Sequence, residues 1–215
     1  LALFYQHNIN EATKLAVWKI EEHEDFFLAK VPLQRNITHP HKRLQHLAGR
    51  YLLQYMFPDF PYDEILIADT RKPFLLNEQY HFSISHCGNF AAAIASSKQR
   101  VGIDIEISTE KILKIIHKFL SEKERTDFNL LPHQLPTTDY RLPTLLWSAK
   151  EALFKWWGWG DVEFKEMLQL DHFNLSASGT IPSAFAKDGF IMRLNLYYKI
   201  FEAINLCWVA SKWNN

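Results

Sequence analysis

Three short runs of strand-forming residues follow one another in the middle of the chain, at His81–Ser85, Phe90–Ser96 and Arg100–Ile105. The segments between them, 86–89 and 97–99, have the length and composition of hairpin connections, so these runs are expected to fold into an antiparallel sheet. Further strand candidates lie at Ile65–Ala68, Met167–Asp171, Phe190–Tyr197 and Ala203–Ser211. Helical spacing appears on both sides of the central runs. From Lys42 to Met56, apolar residues recur at steps of three and four. Ile112, Ile115, Ile116 and Phe119 repeat at the same period, and Ser121–Glu124 has the form of a capping box. The strongest helix has Pro143 in its first turn, an apolar stripe of Leu145, Ala149, Leu153 and Trp156, and Gly158 as a left-handed end. Leu130–Thr138, with two prolines, reads as a loop. The pattern is α+β, and no residue-by-residue repeat is visible.

Composition narrows the function. The chain has 215 residues, 47% of them hydrophobic, with 16 Phe, 8 Tyr and 7 Trp. That is enough apolar area for one large domain or two packed halves, and it excludes intrinsic disorder. Basic and acidic side chains balance at 24 each, which argues against nucleic acid or a membrane surface as partner. The longest apolar stretch, Phe90–Ala95, is far short of the ~20 residues that span a bilayer. The first residues lack a basic leader region and the chain begins without methionine, so the expected location is cytoplasmic with a start that is processed or trimmed. Cys87 and Cys207 look like reduced packing residues and receive no role.

Several chemistries find no support. The seven glycines match neither the P-loop nor the dinucleotide spacing, no serine has nucleophile-elbow flanks, and the histidines lack zinc-site spacing. Ser85 and His86 are adjacent on a strand and point to opposite faces, which removes a hydrolytic serine pair.

Other positions do carry chemistry. In Gly102-Ile103-Asp104-Ile105-Glu106, alternation puts both carboxylates on one face. Such a pair suits an oxygen-ligated divalent cation, or is simply two exposed strand-end charges. Trp147, Glu151 and Lys155 are spaced by four and share a helical line, where Glu151 and Lys155 also fit an ordinary helix ion pair. Arg43, His46 and Arg50 share a second face of the Lys42–Met56 helix, readable as a solvated side or an anion-binding stripe.

Taken in order, Gly49-Arg50, Arg71-Lys72-Pro73, Phe82-Ser83-Ile84-Ser85-His86, Gly102-Ile103-Asp104-Ile105-Glu106 and Trp147-Ser148-Ala149-Lys150-Glu151-Ala152 with Lys155 form a set. The set resembles the 4'-phosphopantetheinyl transferases of the surfactin-synthetase-activating type. The resemblance implies two similarly folded halves in one chain, a pseudo-dimer of residues 1–101 and 102–215, with the active site at the seam and a monomer sufficing. It implies transfer of the phosphopantetheine arm of coenzyme A to a serine of an apo acyl or peptidyl carrier protein, releasing 3',5'-ADP. By the same likeness Asp104, Glu106 and Glu151 would hold Mg²⁺, with Mn²⁺ as the alternative. Glu151 or a metal-bound water would deprotonate the serine, and Lys155 would compensate the leaving phosphate. Arg50, Lys72, Pro73, Ser85, His86 and Lys155 would contact coenzyme A. The lysines that precede the helix arginine in the family have no match here, which leaves Lys42, Arg43 or His46 in their place. Residues 106–138 would dock the carrier. The competing readings are a non-catalytic binder of coenzyme A or carrier protein, and another Mg²⁺-dependent pyrophosphate-cleaving enzyme.

Overall fold

The structure is a computed structural model that describes residues 2–33, 36–202 and 204–212. Strands β1 (Leu3–Asn10) and β2 (Thr13–Lys19) form a hairpin, followed by a short helix α1 (Glu24–Leu28) and the long helix α2 (Pro40–Met56). A small hairpin, β3 (Ile65–Ile67) and β4 (Pro73–Leu75), leads into β5 (His81–Cys87), β6 (Phe90–Ser96) and β7 (Arg100–Ile107). Two short helices, α3 (Ile116–Phe119) and α4 (Glu122–Asp127), precede the second long helix, α5 (Arg141–Trp157). The chain closes with β8 (Leu168–Leu170), β9 (Ser178–Lys187), β10 (Phe190–Ile200) and β11 (Ile204–Ser211).

The strands assemble into two main antiparallel sheets, ordered β1-β2-β6-β5 and β7-β11-β10-β9-β8. Helix α2 covers one face of the first sheet, where Leu47, Leu52 and Leu53 meet Ala16, Trp18, Ala91 and Ala93. Helix α5 covers one face of the second, where Leu145, Leu153 and Trp156 meet Cys207 and Val209. The two remaining faces press together: Leu15, Val17, Ala92 and Ile94 from the first sheet share a dry layer with Ile103, Ile105, Leu206 and Trp208 from the second. Strand β2 is therefore buried on both sides, which is why Leu15-Ala16-Val17-Trp18 is continuously apolar instead of alternating. Each fully buried leucine or valine here contributes roughly 1.5–3 kcal/mol.

Local signals explain the two elements nearest the seam. Pro40 opens α2 behind His39, whose ring nitrogen accepts from the Lys42 N–H. Gly158 ends α5 with φ 77°, where a side chain would be strained, and a Cβ there would also collide with the Lys72 ammonium. A Cβ on Gly102 would come within 2.0 Å of the Ala152 carbonyl oxygen, so β7 and α5 approach as closely as backbones allow.

The expected antiparallel α+β organisation holds, and so do both bonds of the Ser121–Glu124 capping box and the loop at 130–138. Other expectations need correction. Residues 112–119 break into a 3₁₀ turn at Glu110–Lys114 and the one-turn helix α3. Arg71-Lys72-Pro73, whose proline and cations read as a turn, is a turn only in part: Arg71 makes it with φ 65°, and Pro73 already begins β4. Strands β1, β2 and β9 had no counterpart in the sequence reading. β9 contains Pro182, tolerated because the short β8 stops at Leu170 and leaves the Pro182 carbonyl to accept from the Asp171 N–H. The expected start of the last strand, Ala203, lies outside the described residues, and β11 is described from Ile204. No helix among the described residues is long and apolar enough to cross a membrane.

Candidate active site at the seam between the sheets

β5 and β7 are end strands of different sheets, and they run side by side without a backbone ladder. Alternate side chains of β5 reach across instead. Ser83 Oγ accepts from the Ile103 N–H at 3.2 Å, and Cys87 Sγ accepts from the Ile107 N–H at 3.4 Å. Between them, Ser85 Oγ donates to Asp104 Oδ1 at 2.7 Å. Helix α5 completes the group, because Lys155 Nζ donates to both Asp104 Oδ1 (2.6 Å) and Ser85 Oγ (2.9 Å). Three residues distant in sequence thus form one knot at the seam.

The face predicted for Asp104 and Glu106 is the observed one: Ile103 and Ile105 enter the shared apolar layer while Asp104 turns to α5. The carboxylates are not exposed strand-end charges, since Asp104 is 2% exposed. Burial and then the neighbouring Asp104 raise the pKa of Glu106, against the pull of Cys87, Trp147 and Lys155. Glu151 is pushed up to about 7, first by burial and then by Asp104 and Glu106, against the pull of Lys155. Glu151 and Lys155 feel each other's charge but form no ion pair among the described residues; the ammonium is drawn to the deeper Asp104 instead. The ordinary helix pair is thereby corrected.

Three carboxylates with one ammonium between them leave unmet negative charge. Asp104 Oδ2 is buried and has no hydrogen-bond partner among the described residues. An orphaned carboxylate oxygen beside two carboxylates that resist ionisation fits a hard divalent cation in charge and in donor type. No three histidine, cysteine or acidic side chains among the described residues are already gathered at ligating distance, so the donors would have to close on the ion.

The basic residues divide. His46 and Arg50 are 8% and 6% exposed, with Arg50 Nη1 3.1 Å from His46 Nδ1, so the solvated-face reading of α2 fails for this pair. Another side of α2 meets the turn after β5: the Gln45 amide donates to the Gly88 carbonyl at 2.8 Å, and His41 Nε2 lies 3.0 Å from Asn89 Oδ1. Gln45 carries no signal in the sequence, and His41 invites only a metal reading that lacks zinc-site spacing. Arg43 is committed to Glu24, Lys42 is exposed, and His46 sits with Arg50. His86 stands at the rim, its pKa lowered chiefly by desolvation and further by Lys155 and His41. Lys72 and Pro73 line a groove of about 200 Å³ together with Ser83, Phe154, Lys155 and Gly158. Burial, helped by Arg100, pulls Lys72 down to about 8.

Comparison with known proteins finds several relatives. The chain is 34% identical over 119 residues to "Enterobactin synthase component D" of Escherichia coli K12, covering 53% of this chain and 54% of that protein. It is 29% identical over 136 residues to "Putative 4'-phosphopantetheinyl transferase" of Haemophilus influenzae, covering 60% and 55%. Against "L-aminoadipate-semialdehyde dehydrogenase-phosphopantetheinyl transferase" of Xenopus laevis it is 28% identical over 129 residues, covering 51% and 41%. The chain spans about half the length of the curated relatives it matches. Residues 100–196, which hold Asp104, Glu106, Glu151 and Lys155, match the family model of the 4'-phosphopantetheinyl transferase superfamily.

Proposed function

We propose that this chain is a 4'-phosphopantetheinyl transferase of the surfactin-synthetase-activating type. It would move the phosphopantetheine arm of coenzyme A onto a serine of an apo acyl or peptidyl carrier protein. The observation that carries the reading is the knot of Ser85, Asp104 and Lys155, with the unpaired Asp104 oxygen beside Glu106 and Glu151. Asp104, Glu106 and Glu151 are the residues that would hold Mg²⁺, which when bound neutralises a diphosphate and orients its phosphorus.

The chain's own groups supply the rest. Glu151, or a water held at the same carboxylates, would take the proton of the incoming serine hydroxyl. The serine oxygen forms a bond to the phosphorus that carries the pantetheine, and the bond from that phosphorus to the nucleotide phosphate breaks. Lys155 is placed to meet the charge that develops on the departing 3',5'-ADP. Arg50, His46 and His86 would provide donors to coenzyme A phosphates on the α2 side, Lys72 and Pro73 would contact coenzyme A from the groove wall, and Ser85 from its place beside Asp104 and Lys155. Residues 1–101 contribute most of the nucleotide contacts and 102–215 the acidic and ammonium groups, in a single monomeric chain.

The test incubates the protein with coenzyme A, Mg²⁺ and each of several apo carrier proteins, then weighs the carriers by mass spectrometry. A mass increase matching phosphopantetheine is expected, with release of 3',5'-ADP. Binding of coenzyme A with no carrier modified would make the chain a non-catalytic binder, and cleavage of coenzyme A without any carrier would make it a pyrophosphate-cleaving enzyme.

A further inference from the structure

Strand β11 buries Ile204-Asn205-Leu206-Cys207-Trp208-Val209 without a break, and Asn205 carries the one side-chain amide among them. It is 0% exposed, a costly place for an amide unless both of its polar atoms find partners. Half of the group does. Nδ2 donates to Ser108 Oγ at 2.8 Å, whereas Oδ1 has no hydrogen-bond partner among the described residues. The strand register fixes where this acceptor stands: Cys207 lies across from Asp104, and Asn205 lies across from Glu106. Ile204, Leu206 and Trp208 enter the apolar layer between the sheets, while Cys207 and Val209 face α5, so Asn205 shares the α5 side with the acidic residues. Helix α5 adds two more such groups there. Ser148 and Thr144 are buried, each hydroxyl is without a partner among the described residues, and they precede Ala152, which abuts Gly102 of β7, by one and two helical turns.

The bond to Ser108, two positions beyond Glu106 on β7, holds the amide plane and turns Oδ1 away from that hydroxyl. A carboxylate and an amide oxygen side by side are both acceptors, so a donor has to come from elsewhere. Directly opposed residues of paired strands have Cβ atoms about 4.5–5.5 Å apart, close enough for one water to meet both side chains. A hard divalent ion such as Mg²⁺ is bound by one or two carboxylates and keeps several of its waters, each of which donates. We infer that Asn205 is a positioning residue of the cation site: its amide oxygen accepts from a water of the divalent ion held by Asp104, Glu106 and Glu151, and so fixes that ion against Glu106. The inference rests on the proposed transferase reading for its cation and adds to it a neutral group from the far end of the chain.

Mn²⁺ binding to the full chain with coenzyme A tests it, read from the loss of the free-ion signal in electron paramagnetic resonance. Asn205→Leu keeps the volume and removes the acceptor. It should weaken Mn²⁺ by about tenfold or more, the scale of a lost outer partner of a metal ligand, and raise the Mg²⁺ needed for half-maximal carrier loading in step. Asn205→Asp puts an oxygen back in the same place, with the Ser108 hydroxyl now donating to it, and should recover most of the affinity. Unchanged Mn²⁺ affinity in Asn205→Leu, whether or not its melting temperature falls, would overturn the inference and leave the amide a purely structural group. Failure of Asn205→Asp to recover the affinity would do the same, since the loss would then come from packing. Should Asn205→Leu fold poorly, Ser108→Ala replaces it. That variant, at a half-buried position, frees the amide to turn and should also weaken Mn²⁺. No loss there counts equally against the proposal. Wild-type protein that binds no Mn²⁺, or binding that survives Asp104→Asn, would remove the cation reading itself and this inference with it, a result distinct from wild-type binding that Asn205→Leu leaves intact.

Discussion

Helix α5 carries two lysines, Lys150 and Lys155, and each reaches a buried carboxylate. Lys150 is fully buried, with Nζ 2.7 Å from Glu124 Oε2 and 2.9 Å from the Phe164 carbonyl. The other Glu124 oxygen accepts from the Leu170 N–H, and Oε2 also accepts from the Ser121 N–H. Both oxygens of that carboxylate are used, so the pair ties α4, α5 and β8 together and has no capacity left. Lys155 is 24% exposed at its side chain, and its partner Asp104 keeps one oxygen without a bond. The same ion-pair chemistry therefore serves two purposes. A closed pair fixes the helix, and an open pair keeps a donor and an acceptor in hand for a ligand.

The sharpest way to break this contrast is to remove one member from each pair. Glu124→Leu leaves the Lys150 charge buried without its partner and should lower unfolding free energy by about 3–5 kcal/mol in urea titration. Adding Lys150→Met should return much of that loss. Asp104→Asn should instead leave stability nearly unchanged and cut carrier loading by about 10²–10³-fold, the scale seen when a charge-stabilising group is lost from a site. A destabilised Asp104→Asn variant with near-normal turnover would reverse the two assignments.

Gly102→Ala comes next. Its Cβ must push the Ala152 carbonyl aside, which should cost about 1–3 kcal/mol and move Asp104 away from Lys155 while Lys150 keeps Glu124. Turnover should fall further than stability in this variant. A pH series probes the open side more gently. Lys72 loses its proton near about 8, below the ordinary lysine value, because burial disfavours its charge. Only the charged form attracts an anion, so the part of coenzyme A affinity that Lys72 supplies should be full below that pH and fall above it, by at most about tenfold per pH unit for one proton. Lys72→Arg, which stays charged, should flatten the profile in a binding titration. Ser85→Ala is expected to have the smallest effect, about 1 kcal/mol in stability, because Lys155 and Asp104 keep their direct contact.

Where a residue's neighbours follow from the period of its own element, the sequence was informative. Alternation placed Asp104 and Glu106 opposite Ile103 and Ile105, and the step of four placed Glu151 and Lys155 on one line of α5. The partner Lys155 chooses was not legible, because Asp104 and Ser85 are 51 and 70 positions away and reach it only once the two sheets dock. The same limit applies to His46 and Arg50, whose burial follows from tertiary packing and not from the period of α2. β2 shows no period-two alternation because both of its faces are buried, so the first hairpin carried no strand signal. β9 was passed over because proline argues against a strand unless, as here, the neighbouring strand ends first.

The joint between β5 and β7 has one further consequence. Two strands zipped by backbone groups stay zipped through almost any substitution, because every residue type carries the same amide. Here the fastening is supplied by the hydroxyls of Ser83 and Ser85 and the thiol of Cys87. Evolution or an engineer can thus tighten, loosen or undo this hinge line one side chain at a time, leaving the rest of either sheet intact.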